Sequence, residues 1–288
     1  MKIALIGADG QLGSDLLPLL AREQAVPLYF PDFDITKADA VRDFFVEERP
    51  EVVINTAAFH RVDECEEKVE EAFRVNTFAV RDLARVCLEI GAVLVHFSTD
   101  YVFNGRKGAP YVETDCPSPL SVYGASKLSG EHFVREICPT SYVIRTCGLY
   151  GMAGSREKGR NFVEAMISLE HSGRPIRVVN DQWVTPTSSR ELAARTVELI
   201  RTGQFGLFHM TNEGWCTWYE FARTIFDILG KKPRIVPVDT AAFGARAMRP
   251  AYSVLENKRA KAAGLQDFSQ WTDALRNFLK EKGLVSGD

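Results

Sequence analysis

Short apolar runs alternate with amphipathic stretches through the first half of the chain. The apolar runs predict buried strands, and the stretches with apolar residues every three or four positions predict helices. Strands are predicted at residues 2–7, 25–30, 51–58, 92–100 and 141–146, and helices at 11–23, 35–50, 65–91 and 122–137. Pro27 interrupts the second strand, and Thr36 is the expected N-cap of the second helix. This alternation predicts an α/β fold with a doubly wound parallel sheet of the Rossmann type.

The pattern loosens after Gly148. Helices are predicted at 161–173, 188–203, 217–230 and 269–283, and strands at 175–181 and 206–212. We therefore expect a dinucleotide-binding domain at residues 1–148 to which elements at about 183–212 return. Residues 149–182 and 213–288 are expected to form a smaller C-terminal substrate-binding subdomain.

Composition narrows the class of protein. The 288 residues are 45% hydrophobic and 25% charged, with a formal net charge of -3, which does not favour nucleic acid as a partner. No apolar run reaches the roughly 18 residues of a membrane helix. The six cysteines are scattered without C-x-x-C spacing, as is typical of reduced thiols. Together these features predict a cytoplasmic protein that binds neither nucleic acid nor membrane.

A glycine-rich loop joins the first predicted strand to the first helix. Gly7, Gly10 and Gly13 lie in G-A-D-G-Q-L-G, where a dinucleotide loop would have to be. The backbone must turn tightly there and approach a pyrophosphate, while the helix N-terminus offers N–H groups and partial positive charge. The alternative is a glycine-rich turn without a ligand.

A tyrosine and a lysine lie four residues apart in "YGASK", Tyr123 to Lys127. On a helix they would share one face, which many pairs do without any catalytic role. With the loop at Gly7–Gly13, "INTAA" (54–58), Asn76 and "FSTDYVF" (97–103), however, the pair resembles the short-chain dehydrogenase/reductase superfamily.

Longer motifs resemble one group within that superfamily, the dTDP-4-dehydrorhamnose reductases. They are "STDYVFNG", "ETDCPSPLSVYGASKLSGE", "NFVEAM", "VVNDQWVTPTSSRELA", "GLFHMTNEGWCTWYEFA" and "RPAYSVLEN", and the likeness runs from about residue 1 to 281. The resemblance implies reduction of the 4-keto group of a nucleotide-linked deoxysugar by NADPH or NADH. Related dehydratases carry Asp-Glu after the threonine. Here Thr99 is followed by Asp100 and Tyr101, which favours simple reduction.

The resemblance also implies roles for individual residues. Tyr123 would donate a proton to the ketone oxygen, Thr99 would hydrogen-bond that oxygen, and Lys127 would lower the Tyr123 pKa and hold the nicotinamide ribose. The cofactor would contact Gly7, Gly10, Gln11, Leu12, Gly13, Asp34, Ile35, Ala57, Ala58, Tyr123 and Lys127. The substrate would contact Thr99, Asp100, Phe103, Asn161, Gln182 and Arg249.

Several positions depart from the family pattern. No acid after the second strand is clearly placed to accept a hydrogen bond from the adenosine ribose, so we expect NADPH as the cofactor. NADH is the alternative, and Asp32 is the acid that would select it. Gly148 replaces a frequent tryptophan, which predicts a larger sugar pocket. His60 replaces a usual threonine and is either a contact for cofactor or substrate or a structural side chain.

Some members of the family bind magnesium at a dimer interface. The matching positions are Asp15, Glu191 and Glu281, all ordinary acidic helix residues as well. We expect no metal, with Mg²⁺ at these carboxylates as the alternative, and a homodimer is one expected assembly.

Two other functions remain open. One is a non-catalytic NAD(P)-binding regulatory subunit, against which the complete set of Thr99, Tyr123 and Lys127 argues. The other is a reductase of a different nucleotide 4-keto sugar.

Overall fold

A parallel sheet forms the centre of the protein, as the alternation of strands and helices predicts. The computed structural model describes residues 1–153 and 159–285. Within these residues the central sheet has six strands in the order β10-β5-β4-β3-β1-β2, and every pairing is parallel. The strands are β1 (Lys2–Ile6), β2 (Gln24–Leu28), β3 (Val52–Asn55), β4 (Val93–Thr99), β5 (Ser141–Thr146) and β10 (Gly206–His209).

Helices cover both faces of the sheet. They are α1 (Gln11–Leu19), α2 (Ala38–Glu48), α3 (Val62–Cys65), α4 (Val69–Phe73), α5 (Val80–Ile90), α6 (Val122–Ile137) and α8 (Ser189–Thr202). α1 and α8 pack together over one face, whereas α2, α5 and α6 cover the other. The strand order reverses between β1 and β3, so the loops after these strands open a crevice at the carboxyl edge of the sheet.

A second hydrophobic core lies beyond the sheet. It is built from α7 (Phe162–Glu170), β7 (Ile176–Val179), α9 (Trp218–Ile228) and α12 (Trp271–Glu281), and β7 pairs with β12 (Ile235–Val238). Short elements complete the chain: β6 (Leu149–Tyr150), β8 (Trp183–Val184), β9 (Thr187–Ser188), β11 (Cys216–Thr217), α10 (Thr240–Phe243) and α11 (Lys258–Ala262). Ala260, Leu265 and Phe268 pack into the core beside the sheet, although the chain pattern places them in the smaller subdomain.

Three local predictions were wrong. Pro27 lies inside β2, which tolerates it because β2 is an edge strand of the sheet. Lys37, not Thr36, is the N-cap of α2, because the Thr36 hydroxyl donates to Asp34 Oδ1 at 2.8 Å.

The third error concerns the start and the regularity of the long helix predicted at residues 65–91. α3 ends at Cys65, and residues 69–90 are continuously helical through α4, a π-helical segment (Arg74–Ala79) and α5. Asn76, within the π-helical segment, donates to Phe59 O at 2.9 Å and to Ser126 Oγ at 3.1 Å. These contacts hold the widened turn against α6, where a side chain at Gly130 would overlap the Asn76 carbonyl.

Among the described residues, no helix combines the length and the apolar character that crossing a bilayer requires. All six cysteines are free thiols within the described residues, and five of them are buried.

Candidate active site

The loop between β1 and α1 has the geometry that a close backbone approach requires. Gly7 has φ +74°, and a Cβ there would lie 2.7 Å from Thr56 Oγ1. A Cβ on Gly13 would overlap the Gly7 carbonyl oxygen, so glycine lets α1 pack directly on the loop. The Gln11 Oε1 atom is buried without a hydrogen-bond partner at the start of α1. The cradle and the orphaned oxygen fit a bound pyrophosphate and its neighbouring ribose.

Leu12 and Ile35 contribute differently from the glycines. Both side chains are buried in the hydrophobic cores that flank the sheet, so only their backbone can face a cofactor. Asp34 accepts from the Thr36 backbone N–H at 2.9 Å and from its hydroxyl, which fixes the loop after β2. Asp32 is exposed on the same loop.

The loop after β3 forms the other wall of the crevice. Thr56 Oγ1 donates to Ile6 O at 2.7 Å, which ties this loop to the end of β1. Ala57 N donates to Asn55 Oδ1 at 3.1 Å, and Asn76 accepts from Phe59 N at 2.9 Å. Ala57 and Ala58 are therefore held beside the glycine loop. The His60 Nδ1 atom lies 3.3 Å from Ala58 O, and its part in binding stays a prediction.

Three neighbouring polar residues, Thr99, Asp100 and Tyr101, lie at the carboxyl end of β4. Thr99 Oγ1 donates to Asp100 Oδ1 at 3.0 Å and accepts from Tyr101 N at 3.2 Å. Asp100 is 3% exposed, and its other oxygen accepts from Cys147 Sγ at 3.1 Å. Burial raises the pKa of the Asp100 carboxyl, and hydrogen bonds from Ser253, Cys147 and Thr99 oppose that rise.

Helix α6 brings Tyr123 and Lys127 to the same place. Ser121 caps the helix by accepting from Gly124 N at 3.2 Å, and a side chain at Gly124 would overlap the Tyr101 carbonyl. The close packing brings the Tyr123 side chain close to Thr99. The structure thus brings together the Thr99, Tyr123 and Lys127 predicted from the sequence.

The electrostatics of this set differ from the sequence-based expectation. Burial raises the pKa of the Tyr123 phenol, and the Asp100 charge raises it further. Burial lowers the pKa of the Lys127 amine to about 8, and Glu131 opposes that change. The chain alone therefore does not lower the Tyr123 pKa, so the lowering that the resemblance implies would need a further charge, such as a bound cofactor brings.

A buried ion pair lies one helical turn beyond Lys127. Glu131 accepts from Arg145 through two bonds, Nε to Oε1 at 2.9 Å and Nη2 to Oε2 at 2.7 Å, and both side chains are 1% exposed. Ser98 also donates to Glu131, and Arg145 lies over the Phe103 ring at 5.1 Å. The sequence did not single out this pair, because Glu131 and Arg145 are 14 positions apart and meet only when α6 packs on β5.

The predicted substrate contacts are distributed unevenly. The Phe103 ring is fully buried and stacks on Tyr111 at 4.0 Å, so the structure gives its side chain a core position rather than a place in the crevice. Asn161 caps α7 in a capping box and donates to Gly151 O at 2.9 Å. Gln182 donates to Thr240 Oγ1 at 2.9 Å.

Arg249 crosses from the second half of the chain to the edge of the crevice. It donates to both carboxylate oxygens of Asp63, at 3.1 and 3.0 Å, and lies close to Tyr101. Burial alone would raise the pKa of Asp63, but the bonds from Arg249 and the Ala247 amide leave it below its usual value. The Tyr101 ring lies edge-on to Tyr123, with centroids 6.0 Å apart. Arg249 is therefore connected to the catalytic candidates.

Gly148 has φ +54°, and a Cβ there would lie 3.2 Å from both Pro186 Cα and Thr185 O. A tryptophan at this position would need a different backbone. The neighbouring Cys147 thiol is buried against Asp100 and Ser253, and its pKa is raised by burial.

The three carboxylates considered for a metal do not converge. Asp15 accepts from Ser189, Glu191 accepts from Asn212 and Ser269, and Glu281 pairs with Arg190. Within residues 1–153 and 159–285, no group of three or more His, Cys, Asp or Glu side chains has an arrangement that could hold a metal ion. The residues of a single chain therefore do not fit Mg²⁺.

The doubly wound sheet, the glycine loop and the Thr99–Tyr123–Lys127 set define a Rossmann-type protein of the short-chain dehydrogenase/reductase class. The chain belongs to the RmlD substrate binding domain family, which it matches over residues 1–283.

Curated relatives are similar over nearly the whole chain. The dTDP-4-dehydrorhamnose reductase of Streptomyces griseus is 43% identical, over 93% of this chain and 90% of its own. The dTDP-4-keto-6-deoxy-D-glucose reductase of Streptomyces niveus is 40% identical, over 93% of each chain. Among solved structures, the dTDP-4-dehydrorhamnose reductase of Bacillus anthracis in complex with NADP has a TM-score of 0.93. It is 36% identical, over 97% of this chain and 99% of that one.

Proposed function

We propose that this protein reduces the 4-keto group of a dTDP-linked 6-deoxysugar with NADPH, and that dTDP-4-dehydro-L-rhamnose, giving dTDP-L-rhamnose, is its substrate. The observation that carries the proposal is the convergence of Thr99, Tyr123 and Lys127 beside a glycine loop at the carboxyl edge of one sheet. The names of the relatives support the nucleotide, the keto sugar and the cofactor.

The chain's own residues would handle the proton and the charge. Bound NADPH would supply the hydride that the ketone carbon receives. The Tyr123 hydroxyl would donate its proton to the ketone oxygen, and the Thr99 hydroxyl would hydrogen-bond the same oxygen as it gains charge. The ammonium form of Lys127 would stabilise the phenolate left on Tyr123 and bind the nicotinamide ribose.

Arg249 would bind the diphosphate of the substrate. A guanidinium matches phosphate oxygens through two parallel hydrogen bonds, and Arg249 already makes such a pair with Asp63. Substrate would therefore compete with Asp63 for this side chain.

The sugar is the less constrained part of the proposal. Two relatives of nearly equal identity are named for different keto sugars, and Gly148 occupies a position where the family pattern often has tryptophan. A reductase of another dTDP-4-keto sugar is therefore the second candidate.

NADPH is proposed over NADH because no acid clearly takes the ribose position after β2: Asp34 is engaged with Thr36, and Asp32 is exposed. A homodimer, whose interface could complete a carboxylate site for Mg²⁺, belongs to the same proposal and rests on the resemblance alone.

NADPH consumption at 340 nm with a panel of purified dTDP-4-keto sugars tests the activity. We expect turnover with at least one sugar, and a loss of at least ~100-fold in kcat for Tyr123→Phe with NADPH affinity kept. Tyr219→Phe, the same change on α9 in the second core, is the matched control and should retain activity. NADPH binding without consumption of any keto sugar would favour the regulatory subunit instead.

A further inference from the structure

A chain of three buried polar side chains runs from the cofactor crevice to Lys127. His96, on β4, is 0% exposed, Asn55 is 1% exposed and Lys127 is 2% exposed. The Asn55 Nδ2 atom lies 3.4 Å from His96 Nδ1, and the Lys127 Nζ atom lies 3.4 Å from His96 Nε2. Because these three side chains are buried, their hydrogen-bond donors and acceptors must match one another.

The Asn55 amide determines the direction of hydrogen-bond donation among these three side chains. Its Oδ1 atom accepts from the Ala57 backbone N–H at 3.1 Å, so the NH₂ group faces His96 Nδ1 and donates to it. A neutral imidazole carries a single N–H, which must then be on Nε2. The ring is neutral because its full burial holds the His96 pKa well below its usual range.

The Nε2–H group therefore points at the Lys127 nitrogen. An ammonium has three N–H donors and no lone pair, so it cannot accept this hydrogen bond, whereas a neutral amine can. Burial lowers the Lys127 pKa to about 8, so the neutral amine predominates above that pH.

We propose that Asn55 and His96 are positioning residues that present a hydrogen-bond donor to Lys127, so that the cofactor-free chain favours the neutral amine at alkaline pH and Lys127 then takes up a proton from solvent when NADPH binds. The uptake rests on the proposed function, because the ribose hydroxyls and the negative charge of the cofactor are what would favour the ammonium. At alkaline pH the Lys127 charge that Tyr123 needs would thus form only in the cofactor complex.

The remaining charges around Lys127 are already paired. From its own helix Glu131 faces it, Tyr123 lies one turn earlier on the same face, and Glu131 is bound by Arg145 of β5. The π-helical segment contributes the uncharged Asn76 and Thr77, which bond to Ser126. His96 is therefore the neutral group that determines whether the amine meets a donor or an acceptor.

The tautomer can be measured directly in the cofactor-free protein. Long-range ¹H–¹⁵N NMR should show His96 neutral, with its proton on Nε2, at pH 9. His96→Phe assigns the signals. Asn55→Asp replaces the donor by a carboxylate that accepts from Nδ1–H, and should move the proton to Nδ1. Asn104→Asp is the matched control, because Asn104 uses only its Oδ1 atom, as acceptor from Arg106 N and the Tyr111 hydroxyl.

Proton uptake is the second readout. Calorimetric titration of NADPH at pH 9, in two buffers of different ionisation enthalpy, should show uptake of about 0.9 proton per wild-type chain, given an amine pKa near 8. Asn55→Asp should reduce the uptake by at least half, and Asn104→Asp should leave it unchanged.

The outcomes separate the two proposals. A wild-type Nδ1–H tautomer, a cationic His96, or NADPH binding without proton uptake would overturn the positioning role while leaving the cofactor in place. Absence of NADPH binding would overturn the proposed function, and the tautomer would still decide the inference. If Asn55→Asp does not fold, the wild-type spectrum and titration decide alone.

Discussion

Replacement of Lys127 by methionine should make the cofactor-free protein more stable at neutral pH. The amine is 2% exposed, and burial lowers its pKa from 10.5 to about 8. That difference corresponds to about 3 kcal/mol of unfavourable free energy for the charged form in the folded state. Methionine fills a similar volume without charge. Its introduction leaves no unpaired anion, since Glu131 keeps its bonds from Arg145 and Ser98.

The sign of the pH dependence follows from the lowered pKa. Below pH 8 the lysine is protonated in both states, so the destabilisation is fully present. Between pH 8 and 10.5 the folded state loses its proton first, so wild-type stability rises relative to the variant until the destabilisation disappears. The gain from Lys127→Met should therefore be about 3 kcal/mol at most at pH 7 and should vanish near pH 10.5.

Urea unfolding of both proteins from pH 7 to 10 gives the difference in unfolding free energy at each pH. Because the comparison is a difference, other groups that titrate in this range cancel unless they contact Lys127. Lys258→Met, at an exposed position on α11, should show no pH-dependent difference. A Lys127→Met difference that is flat with pH, or a variant less stable than wild type at pH 7, would refute the reasoning.

Three further predictions concern binding. Gly13→Ala should weaken NADPH binding by at least tenfold, measured by fluorescence titration, because its Cβ would overlap the Gly7 carbonyl oxygen. Gly10→Ala, whose Cβ would lie 3.2 Å from the same oxygen, should have a smaller effect, and equal effects of the two changes would contradict the proposed cradle. Arg249→Met should raise KM for the keto sugar by about tenfold with less effect on kcat, whereas Asp63→Asn should lower KM. An unchanged KM in both variants would show that the Arg249–Asp63 ion pair has no part in substrate binding. NADPH should have a kcat/KM at least equal to that of NADH in wild type and in Asp32→Ala. A tenfold preference for NADH, about 1.4 kcal/mol, that Asp32→Ala erases would make Asp32 the ribose-binding acid.

The sequence by itself determined the parallel sheet and the local parts of the site. The apolar strands and the amphipathic helices each depend on residues close together in the chain, so their periodicity indicates them without tertiary information. The same holds for the glycine loop, where strand, turn and helix are consecutive, and for Tyr123 and Lys127, which share one face of α6. The edge position of β2, which makes Pro27 tolerable, depends instead on strand order.

Only the tertiary structure decided which side chains surround those parts. Phe103 was a plausible substrate contact by motif, but the approach of Tyr111 and Arg145 buries its ring. The widened π-helical turn is held by Asn76, which bonds across to the loop after β3 and to α6.

The same is true of Lys127. Its spacing from Tyr123 can be read from the chain. Its partner His96 and the Asn55 that contacts His96 come from two other strands, 31 and 72 positions away in the numbering. Such contacts have no periodic signature, because they exist only once the parallel strands align their carboxyl ends. The sequence thus indicates that a lysine is present at the site, whereas the packing of β3, β4 and α6 determines the charge it carries.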